Sequence, residues 1–528
     1  MGKADLPIEK AARKMAGGHP EDAVPLLEAA LAQAPRSGRA QAALGAAHMA
    51  LGQLEKGMKA FRAALRLRPD DTYLISRLAE TCTTVGRVPE AIALLRHALT
   101  LGPDSEIHSQ LLYALNHEAL DRNEIAFEHA QWGRLHAPRH AVPPRRFPNA
   151  ADLRRRLRVG YVSGDFRQVA PAYFFEALLN GHDRQGFEIA VYDNGNGEDD
   201  LHRRLKASAC RWRQTPSWTD RQLHAAIRRD GIDILVDLSG HTAAHRLGVF
   251  AMKAAPVQVT YLGYPNTTGL KQMDYRLTDR IADPPGMTGA LHTERLLRLP
   301  RCFVAYCPPD RQAPVAAAPF AASGRFAFGS FCRPCKLSGP TVAVWAEILR
   351  RAPDSRLLLH HEAVRPYSEE AAHFIEREIR ARFAALGVDR GRVDFVGKLD
   401  LRRHFELYSR VDLCLDPFPY NGTTALCEGL WMGVPAVALA GKTHVSRVAA
   451  SLLQAVGLND FVCGTEEEYI AKAVKMSENP ERLSRLRAGM RERLSKSALM
   501  DGAGLARAVE HQYRLIWRRY CRSKSDRA

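Results

Sequence analysis

Small, bulky and proline residues recur every 34 residues in the first part of the chain. The columns that keep this spacing are Gly18, Gly52 and Gly86; Ala23, Gly57 and Ala91; Leu27, Phe61 and Leu95; Ala30, Ala64 and Ala98; Leu31, Leu65 and Leu99; and Pro35, Pro69 and Pro103. Small residues let two helices approach closely, bulky residues fill the space between repeats, and a proline ends a helix. The pattern therefore predicts stacked helix pairs over residues 4–105.

A fourth, weaker copy of this pattern continues to Pro138. Its apolar positions are Leu111, Leu112, Ala126 and Ala130. The repeats resemble the tetratricopeptide repeat, whose solenoids present a concave surface to extended peptides. The sequence thus predicts a protein-binding domain over residues 1–138, with a scaffold for homodimerisation as the alternative role. A linker rich in Pro and Arg is expected over 139–155.

Short apolar runs alternate with helical patterns after residue 155. Strands are expected at LRVGYVSGDF, FEIAVYDN, IDILVDLSG and VQVTYLGYP, with helices over about 171–180 and 218–229. Strands that alternate with helices favour a parallel, doubly wound sheet. A first α/β lobe is therefore predicted over residues 156–317.

A low-complexity stretch over 310–324 precedes a second series of the same kind. Strands are expected at RFAFGSF, SRLLLHH, RVDFVG and VDLCLD, and a helix at VAVWAEILRR. This series predicts a second Rossmann-like lobe over 318–528, whose last helix, about 503–520, returns to brace the first lobe. Ligands of open α/β sheets bind at the carboxyl ends of the strands, so the chemistry is expected in the cleft between the lobes.

Length and composition restrict the class of protein. A chain of 528 residues with 46% hydrophobic and 25% charged residues is expected to fold into several globular domains. Its start has no apolar signal core and no apolar run approaches a membrane span, which favours a cytoplasmic protein without a membrane partner. Ten scattered cysteines are typical of reduced thiols.

The net charge of +17 favours an anionic partner. No helix-turn-helix, zinc-finger or aromatic RNA-binding signature is present, so nucleic acid is not the expected partner. A phosphate-bearing ligand would need only a few of these charges. The alternative is a generally Arg-rich surface.

Six strings together resemble the O-GlcNAc transferase family, and especially its SPINDLY-like branch. They are GYVSGDF, GIDILVDLSGHT, PVQVTYLGYPNTTGL, MDYRLTD, FGSFCRPCKLS and LDPFPYNGTTALCEGLWMGVP. The resemblance implies a GT-B fold and inverting transfer of GlcNAc from UDP-GlcNAc to Ser or Thr of acceptor proteins held by the repeats, without a metal cofactor. Two alternatives stay open: transfer of fucose from GDP-fucose, and a degenerate scaffold that only binds proteins.

The resemblance assigns Lys336 as the catalytic cation on the donor diphosphate, because the leaving nucleoside diphosphate develops negative charge. Arg333 could supply a second contact to the diphosphate. The same loop holds Cys332 and Cys335, spaced as in some zinc and redox sites. Two ordinary loop thiols are favoured, because no further cysteines have a suitable spacing.

Asn421, Gly422, Thr423 and Thr424 match the family's phosphate loop, just before a helix expected to begin near Ala425. The family commonly has a further threonine at the position of Ala425. The resemblance implies that Glu428 holds the ribose hydroxyls and that His404 packs on the nucleotide. A helix-start acid that only complements the helix dipole is the alternative for Glu428.

Leu262, Gly263, Tyr264 and Pro265 match the family's wall around the donor sugar, with Thr267 and Thr268 beside it. The family usually has a histidine where this chain has Val169, and an isopropyl group cannot accept a proton. His241, expected at the cleft-facing end of a strand, is therefore the candidate catalytic base. A structural role for His241 is the alternative.

Overall fold

The computed structural model describes residues 5–140, 147–309, 313–361 and 368–525. The first eight helices are α1 Asp5–Ala16, α2 Pro20–Gln33, α3 Gly38–Ala50, α4 Leu54–Leu67, α5 Thr72–Thr84, α6 Val88–Leu101, α7 Ser105–Leu115 and α8 Arg122–His136. They form four consecutive helix pairs, as the 34-residue period predicts. Residues 141–146 of the predicted linker and 310–312 of the low-complexity stretch lie outside the described residues.

Local sequence explains how each repeat turns. Gly18, Gly52 and Gly86 follow the first helix of their pairs with φ of +79°, +70° and +84°, values that favour glycine. Ser37 and Asp71 cap α3 and α5, since their side chains accept hydrogen bonds from the first-turn amides. The four-pair array is therefore specified by turn glycines and caps as well as by its apolar columns.

The chain then forms a parallel seven-stranded sheet in the order β3-β2-β1-β4-β5-β6-β7. Its strands are β1 Leu157–Ser163, β2 Phe187–Asp193, β3 Arg211–Gln214, β4 Ile234–Asp237, β5 Val257–Thr260, β6 Tyr275–Asp279 and β7 Arg295–Leu299. The intervening helices are α9 Ala170–Gly181, α10 Asp200–Ser208, α11 Asp220–Arg229 and α12 Leu247–Ala251. Strands β1, β4 and β5 are almost entirely buried, as expected for a doubly wound sheet.

The second α/β series follows. Its strands are β8 Ala327–Phe331, β9 Arg356–His360, β10 Val393–Val396, β11 Leu413–Leu415, β12 Ala436–Leu439 and β13 Val462–Cys463. Its helices are α13 Phe320–Ser323, α14 Gly339–Arg351, α15 Glu369–Ala384, α16 Leu401–Leu407, α17 Thr424–Trp431, α18 Val448–Ala455, α19 Glu466–Ser477, α20 Pro480–Ser495 and α21 Gly502–Ser525. Strand β9 pairs in parallel with β8 and β10, and β12 pairs in parallel with β11 and β13.

The chain forms two compact units, and each unit combines two segments that are separated in the sequence. The first unit contains residues 1–119 and 327–401, and the second contains 120–326 and 402–528. The first unit thus joins three and a half repeats to β8, β9 and β10. The second joins α8, the seven-stranded sheet and the elements from α16, whose residues after Leu401 it contains, to α21.

The last helix braces the first lobe within the second unit, as predicted. Glu510 on α21 accepts a hydrogen bond from Nδ1 of the buried His182 at 2.9 Å. The indole nitrogen of Trp517 donates to the carbonyl of Asp152 at 3.0 Å, and Arg514 donates to the carbonyl of Gly186. Helix α21 therefore covers one face of the seven-stranded sheet.

The predicted fold class, a helical repeat array followed by two parallel α/β lobes, is confirmed. Two predicted strands are shorter than expected. The strand at IDILVDLSG ends at Asp237 and the strand at VQVTYLGYP ends at Thr260, so His241 and Tyr264 both lie in loops. Among the helices in the described part of the chain, none has the length and apolarity needed to cross a membrane.

Candidate active site

The Lys336 loop connects β8 to α14 in the first unit. A 3₁₀ turn over Pro334–Lys336 follows Arg333, and the Lys336 amide donates to the Arg333 carbonyl at 2.9 Å. Ser338 then caps α14 through the amide of Thr341. The turn is short and fixed at both ends, so the two cationic residues lie three positions apart on a defined backbone.

The repeats pack directly against this loop. A Cβ atom at Gly86, in the turn between α5 and α6, would lie 2.8 Å from the carbonyl oxygen of Pro334, so the two backbones touch. The Tyr113 side chain on α7 is hydrogen-bonded to the Arg333 side chain, and burial raises the pKa of Tyr113 to about 12. Glu378 on α15 pairs with Arg87 at 2.8 Å. Repeat residues therefore help to hold the loop that carries Lys336.

His117 lies just after α7 and is fully buried. Its Nδ1 lies 3.0 Å from the Tyr113 carbonyl oxygen, to which it donates. Burial, together with the positive charges of Lys336 and Arg333, lowers the pKa of His117 to about 3. The imidazole is therefore neutral at physiological pH and adds no third positive charge beside the loop.

Because the folded pKa of His117 is lowered, its contribution to stability is fully present above the unfolded value of 6.5 and is lost as pH falls toward 3. We expect stability to fall in this window by up to about 1.4 kcal/mol per pH unit from this residue. His117→Phe should reduce that slope in urea titrations between pH 7 and 4. His97→Phe, at an exposed position on α6, should leave the slope unchanged, and equal slopes in both variants would contradict the assignment.

The candidate phosphate loop lies between β11 and α17 in the second unit. The Gly422 amide donates to the Asp416 carboxylate at 2.7 Å. The Asn421 side chain donates to the Pro417 carbonyl and accepts from the Ala449 amide. Asn421 and Gly422 therefore shape the loop through internal hydrogen bonds.

Thr423 and Thr424 begin helix α17. Thr423 is its N-cap residue and makes no side-chain capping bond. The Thr424 hydroxyl is buried and has no hydrogen-bond partner among the described residues. A buried hydroxyl without a partner at a helix N-terminus fits an anionic oxygen of a ligand, because such hydroxyls are otherwise satisfied.

Glu428, one turn into α17, is held in place by two side chains. Nε2 of His404 donates to its carboxylate at 3.0 Å, and the Tyr408 hydroxyl donates to the same oxygen at 3.3 Å. Tyr408 also reaches the Ala425 carbonyl at 3.1 Å. Glu428 is therefore held by one side chain from α16 and one from the turn after it.

Two tyrosines of the first lobe lie near Glu428. Burial and the Glu428 charge raise the pKa of Tyr173 to about 12 and that of Tyr306 well above its usual value. The Tyr306 hydroxyl is buried without a partner among the described residues. Both phenols stay neutral at physiological pH and are polar groups that the sequence did not indicate.

His241 lies in the turn that follows β4. The Asp237 carboxylate accepts hydrogen bonds from the Ser239 and Gly240 amides and from the Thr260 hydroxyl. Burial raises the pKa of Asp237 to about 6. Nε2 of His241 donates to the Thr268 carbonyl at 3.0 Å, and the residue is only 3% exposed. In the neutral ring the lone pair is consequently on Nδ1.

The Leu262–Pro265 segment is a tight turn after β5. Leu262 adopts a φ of +73°, which is strained for leucine. A Cβ atom at Gly263 would lie 1.9 Å from the Leu238 carbonyl oxygen, so only glycine fits there. The buried Arg276 donates to the carbonyl of Tyr264 at 3.0 Å. The turn is thus fixed by backbone contacts and by one buried guanidinium.

The hydroxyls of Thr267 and Thr268, expected beside the donor sugar, are turned inward. Both residues are fully buried. Thr267 donates to the Glu294 carboxylate at 2.6 Å, and the Thr268 hydroxyl donates to the other oxygen of the same carboxylate. These two hydrogen bonds to Glu294 therefore fix the loop in which the Thr268 carbonyl accepts from His241.

Helix α8 of the fourth repeat packs over His241 and Tyr264. Nε2 of His129 accepts a hydrogen bond from the Tyr264 hydroxyl at 2.7 Å. The Trp132 and His241 rings meet edge-on with centroids 4.9 Å apart. The sequence pattern did not indicate this contact, because His129 and Trp132 lie in the weakest repeat and match none of the six strings.

Among the residues that the structure describes, Val169 and the two cysteines of the Lys336 loop show no sign of a metal or redox site. Val169 is the N-cap residue of α9 and makes no side-chain cap. Cys335 is buried, and all ten cysteines are unbonded thiols. Within the described ranges, no group of three or more His, Cys, Asp or Glu side chains is placed to hold a metal ion.

The structure brings the candidates together in three groups. Arg333 and Lys336 share one turn in the first unit. In the second unit His404 is bonded to Glu428, on the helix that follows the candidate phosphate loop. The His241 and Tyr264 rings are also in contact there, with centroids 5.3 Å apart.

Comparison with known families decides the affiliation of the chain. Residues 92–306 and 323–508 match the sequence model of glycosyl transferase family 41. The chain belongs to this family. Residues 14–73 also match a tetratricopeptide repeat model. The family 41 match begins inside the third repeat, so the family model includes the last repeats as well as the α/β lobes.

Relatives of this family 41 chain include plant proteins of two kinds. It is 38% identical over 437 residues to the probable UDP-N-acetylglucosamine--peptide N-acetylglucosaminyltransferase SPINDLY of Solanum lycopersicum. It is 28% identical over 415 residues to the probable transferase SEC of Arabidopsis thaliana, which carries the same enzyme name. The matches cover 80% and 75% of this chain but 45% and 41% of those proteins, so the chain spans about half the length of the curated relatives it matches.

A solved structure agrees along the whole chain. A lysine-to-methionine variant of the O-GlcNAc transferase of Thermobaculum terrenum is 33% identical, with a TM-score of 0.89 over 99% of this chain and 100% of that one. This family 41 chain therefore has the GT-B fold that the resemblance implies.

Proposed function

We propose that this family 41 protein transfers GlcNAc from UDP-GlcNAc to Ser or Thr hydroxyls of acceptor proteins, with inversion at the anomeric carbon. The observation that carries the proposal is the start of α17. There the buried Thr424 hydroxyl has no partner among the described residues, and Glu428 is fixed by His404 and Tyr408. This arrangement suits phosphate and ribose oxygens. The enzyme names of the SPINDLY and SEC relatives support the choice of donor.

The proposed reaction needs positive charge on the leaving group. The acceptor hydroxyl attacks the anomeric carbon, the bond to the diphosphate oxygen breaks, and UDP leaves with the electron pair. Lys336, with Arg333 three positions before it, would stabilise the developing charge. The neighbouring His117 stays neutral and adds no competing charge there. We therefore propose a reaction without a metal cofactor.

The acceptor hydroxyl must also lose a proton. Val169 offers no basic atom at the position where the family usually has histidine. We propose His241 as the base, because it follows the carboxyl end of β4, where ligands of open parallel sheets bind, and because its Nε2 is held by the Thr268 carbonyl. Leu262, Gly263, Tyr264 and Pro265 would form the wall beside the sugar.

The proposal assigns acceptor binding to the repeat array. Stacked helix pairs with an exposed first-helix side chain such as Tyr73, 65% exposed, are typical of peptide-binding solenoids. We further propose that the enzyme is cytoplasmic, an assignment supported by its ten unbonded thiols. No nucleic acid or membrane partner, and no homodimer, enters this scheme.

The decisive experiment supplies the purified protein with UDP-GlcNAc or GDP-fucose in separate reactions with a Ser/Thr-containing acceptor protein. We expect acceptor mass to rise by one N-acetylhexosamine with UDP-GlcNAc and to stay unchanged with GDP-fucose. A gain of one deoxyhexose with GDP-fucose alone would replace the proposed donor. No gain with either sugar, combined with acceptor binding, would indicate a protein-binding scaffold.

A further inference from the structure

Helix α8 lies on the side of the seven-stranded sheet where ligands bind. Strands β4 and β5 end at Asp237 and Thr260, and His241 and Tyr264 each follow four residues later. In open parallel sheets the carboxyl ends of the strands carry the ligand. A repeat helix that covers these two loops therefore contacts the edge of the sheet where a ligand is expected to bind.

The approach of α8 is close enough to exclude side chains. A Cβ atom at Gly133 would lie 2.0 Å from the Gly269 carbonyl oxygen, and one at Gly269 would lie 1.9 Å from the His129 carbonyl oxygen. Backbone therefore meets backbone at this crossing. Arg122, at the start of α8, also donates to the Met287 carbonyl at 3.3 Å. The helix has little freedom to shift relative to the loops.

One face of α8 delivers its side chains to these loops. His129 and Trp132, three positions apart, are both almost completely buried. Nδ1 of His129 donates to the Ile125 carbonyl at 2.7 Å, so Nε2 carries the lone pair that accepts the Tyr264 hydroxyl. The hydrogen-bond order thus fixes both the tautomer of His129 and the direction of the tyrosine.

His241 is enclosed by the same side chains. Its ring lies edge-on to Trp132 at 4.9 Å and to Tyr264 at 5.3 Å, and 5.6 Å from the His129 ring. Nε2 of His241 is held by the Thr268 carbonyl. Rotation of the imidazole would break that hydrogen bond and change the edge-on contact with Trp132. The orientation of His241 is therefore set in part by a repeat helix.

We propose that His129 and Trp132 are positioning residues of the transfer reaction: they hold Tyr264 and His241 in the orientation needed for catalysis. This inference rests on the proposed function. It makes the fourth repeat part of the catalytic apparatus in addition to any role in acceptor binding.

The test compares two buried His–Tyr pairs of the second unit. His129 is bonded to Tyr264 at 2.7 Å, and His182 is bonded to Tyr161 at 2.8 Å, beside α21. Turnover, donor KM and thermal stability are measured for His129→Leu, His129→Gln and Tyr264→Phe in the full-length protein. His182→Leu and Tyr161→Phe are the matched controls, since they remove the same kind of bond away from α8.

We expect His129→Leu and Tyr264→Phe to lower kcat by about tenfold to a hundredfold with little change in donor KM, because a misplaced group affects the reacting geometry. His129→Gln should restore most of kcat, since its amide oxygen can accept the Tyr264 hydroxyl. The double variant His129→Leu/Tyr264→Phe should be no worse than either single variant. The control variants should lose stability while kcat stays within about twofold of the parent.

Equal kcat losses in the test and control pairs would overturn the inference, because stability alone would then explain them. So would an unchanged kcat in Tyr264→Phe, the variant least expected to disturb folding. If the parent protein transfers no sugar at all, the proposed function fails first and the inference falls with it. An active parent with unaffected variants defeats the inference alone.

Discussion

Lys336→Ala should lower kcat for sugar transfer by about a hundredfold to a thousandfold, the usual effect of removing one group that stabilises charge in a transition state. The lysine is held in a 3₁₀ turn fixed by the Arg333 carbonyl on one side and the Ser338 cap on the other. A change of side chain in this partly exposed position leaves those backbone bonds in place. Thermal stability should therefore change little.

Two further variants separate charge from shape at this position. Lys336→Arg keeps a positive charge and should retain more activity than Lys336→Ala. Lys59→Ala removes an exposed lysine from α4 in the same unit and should leave turnover unchanged. Calorimetry should show that UDP binds more weakly to Lys336→Ala than to the parent. Turnover within tenfold of the parent would show that Lys336 is not the cation on the leaving group.

Gly269→Ala should destabilise the second unit by about 3 kcal/mol or more, because overlap of backbone atoms adds to an unfavourable dihedral angle. Gly269 has a φ of +74°, and a Cβ atom there would lie 1.9 Å from the His129 carbonyl oxygen and 2.6 Å from its carbon. Neither neighbour is a flexible side chain. Helix α8 would have to move away from the loop that holds His241.

Gly286→Ala is the matched control for this prediction. Gly286 has a φ of +79° and has no atom within 4 Å of a Cβ atom built on it. The Gly286→Ala variant should be destabilised by about 1–2 kcal/mol, which is the cost of the left-handed conformation alone. Denaturant titrations of both variants measure the difference. Equal losses of stability in the two variants would mean that α8 can move away from Gly269 at little energetic cost. That result would contradict the close backbone contact described above.

The repeats and strands were predictable because their signals are local. A column such as Pro35, Pro69 and Pro103 repeats at a fixed distance, and apolar runs such as ILVD in β4 are short and bounded. The ends of β4 and β5 were overestimated, since apolar residues continue beyond Asp237 and Thr260 into loops. Those loop residues are buried by contacts with distant elements, which periodicity along the chain does not encode.

The candidate site shows the same division. Lys336, Glu428 and His404 stand in or beside strings that resemble the family, and the structure gives Glu428 and His404 a direct hydrogen bond. By contrast, Tyr264 is bonded to His129 on a distant repeat helix, and the buried His117 that lies near Lys336 follows another repeat helix. A lone histidine on an amphipathic helix carries no signal of its partner. Only the fold places His129 beside Tyr264 and His117 near Lys336.

Hydrogen bonds between the repeats and the α/β lobes restrict where the repeats of this protein can be exchanged for others. The Ser368 hydroxyl donates to the Gly52 carbonyl, Arg87 pairs with Glu378, and His129 bonds Tyr264. If the chain were cut after residue 52 and its first part replaced, Gly52 would be separated from Ser368. A cut after residue 129 would separate all three repeat residues from their bonding partners. Extra repeats joined ahead of α1 would break none of these three bonds. Under the proposed function, new acceptor specificities are thus expected from repeats added at the amino-terminal end, because the later repeats are bonded to the α/β elements.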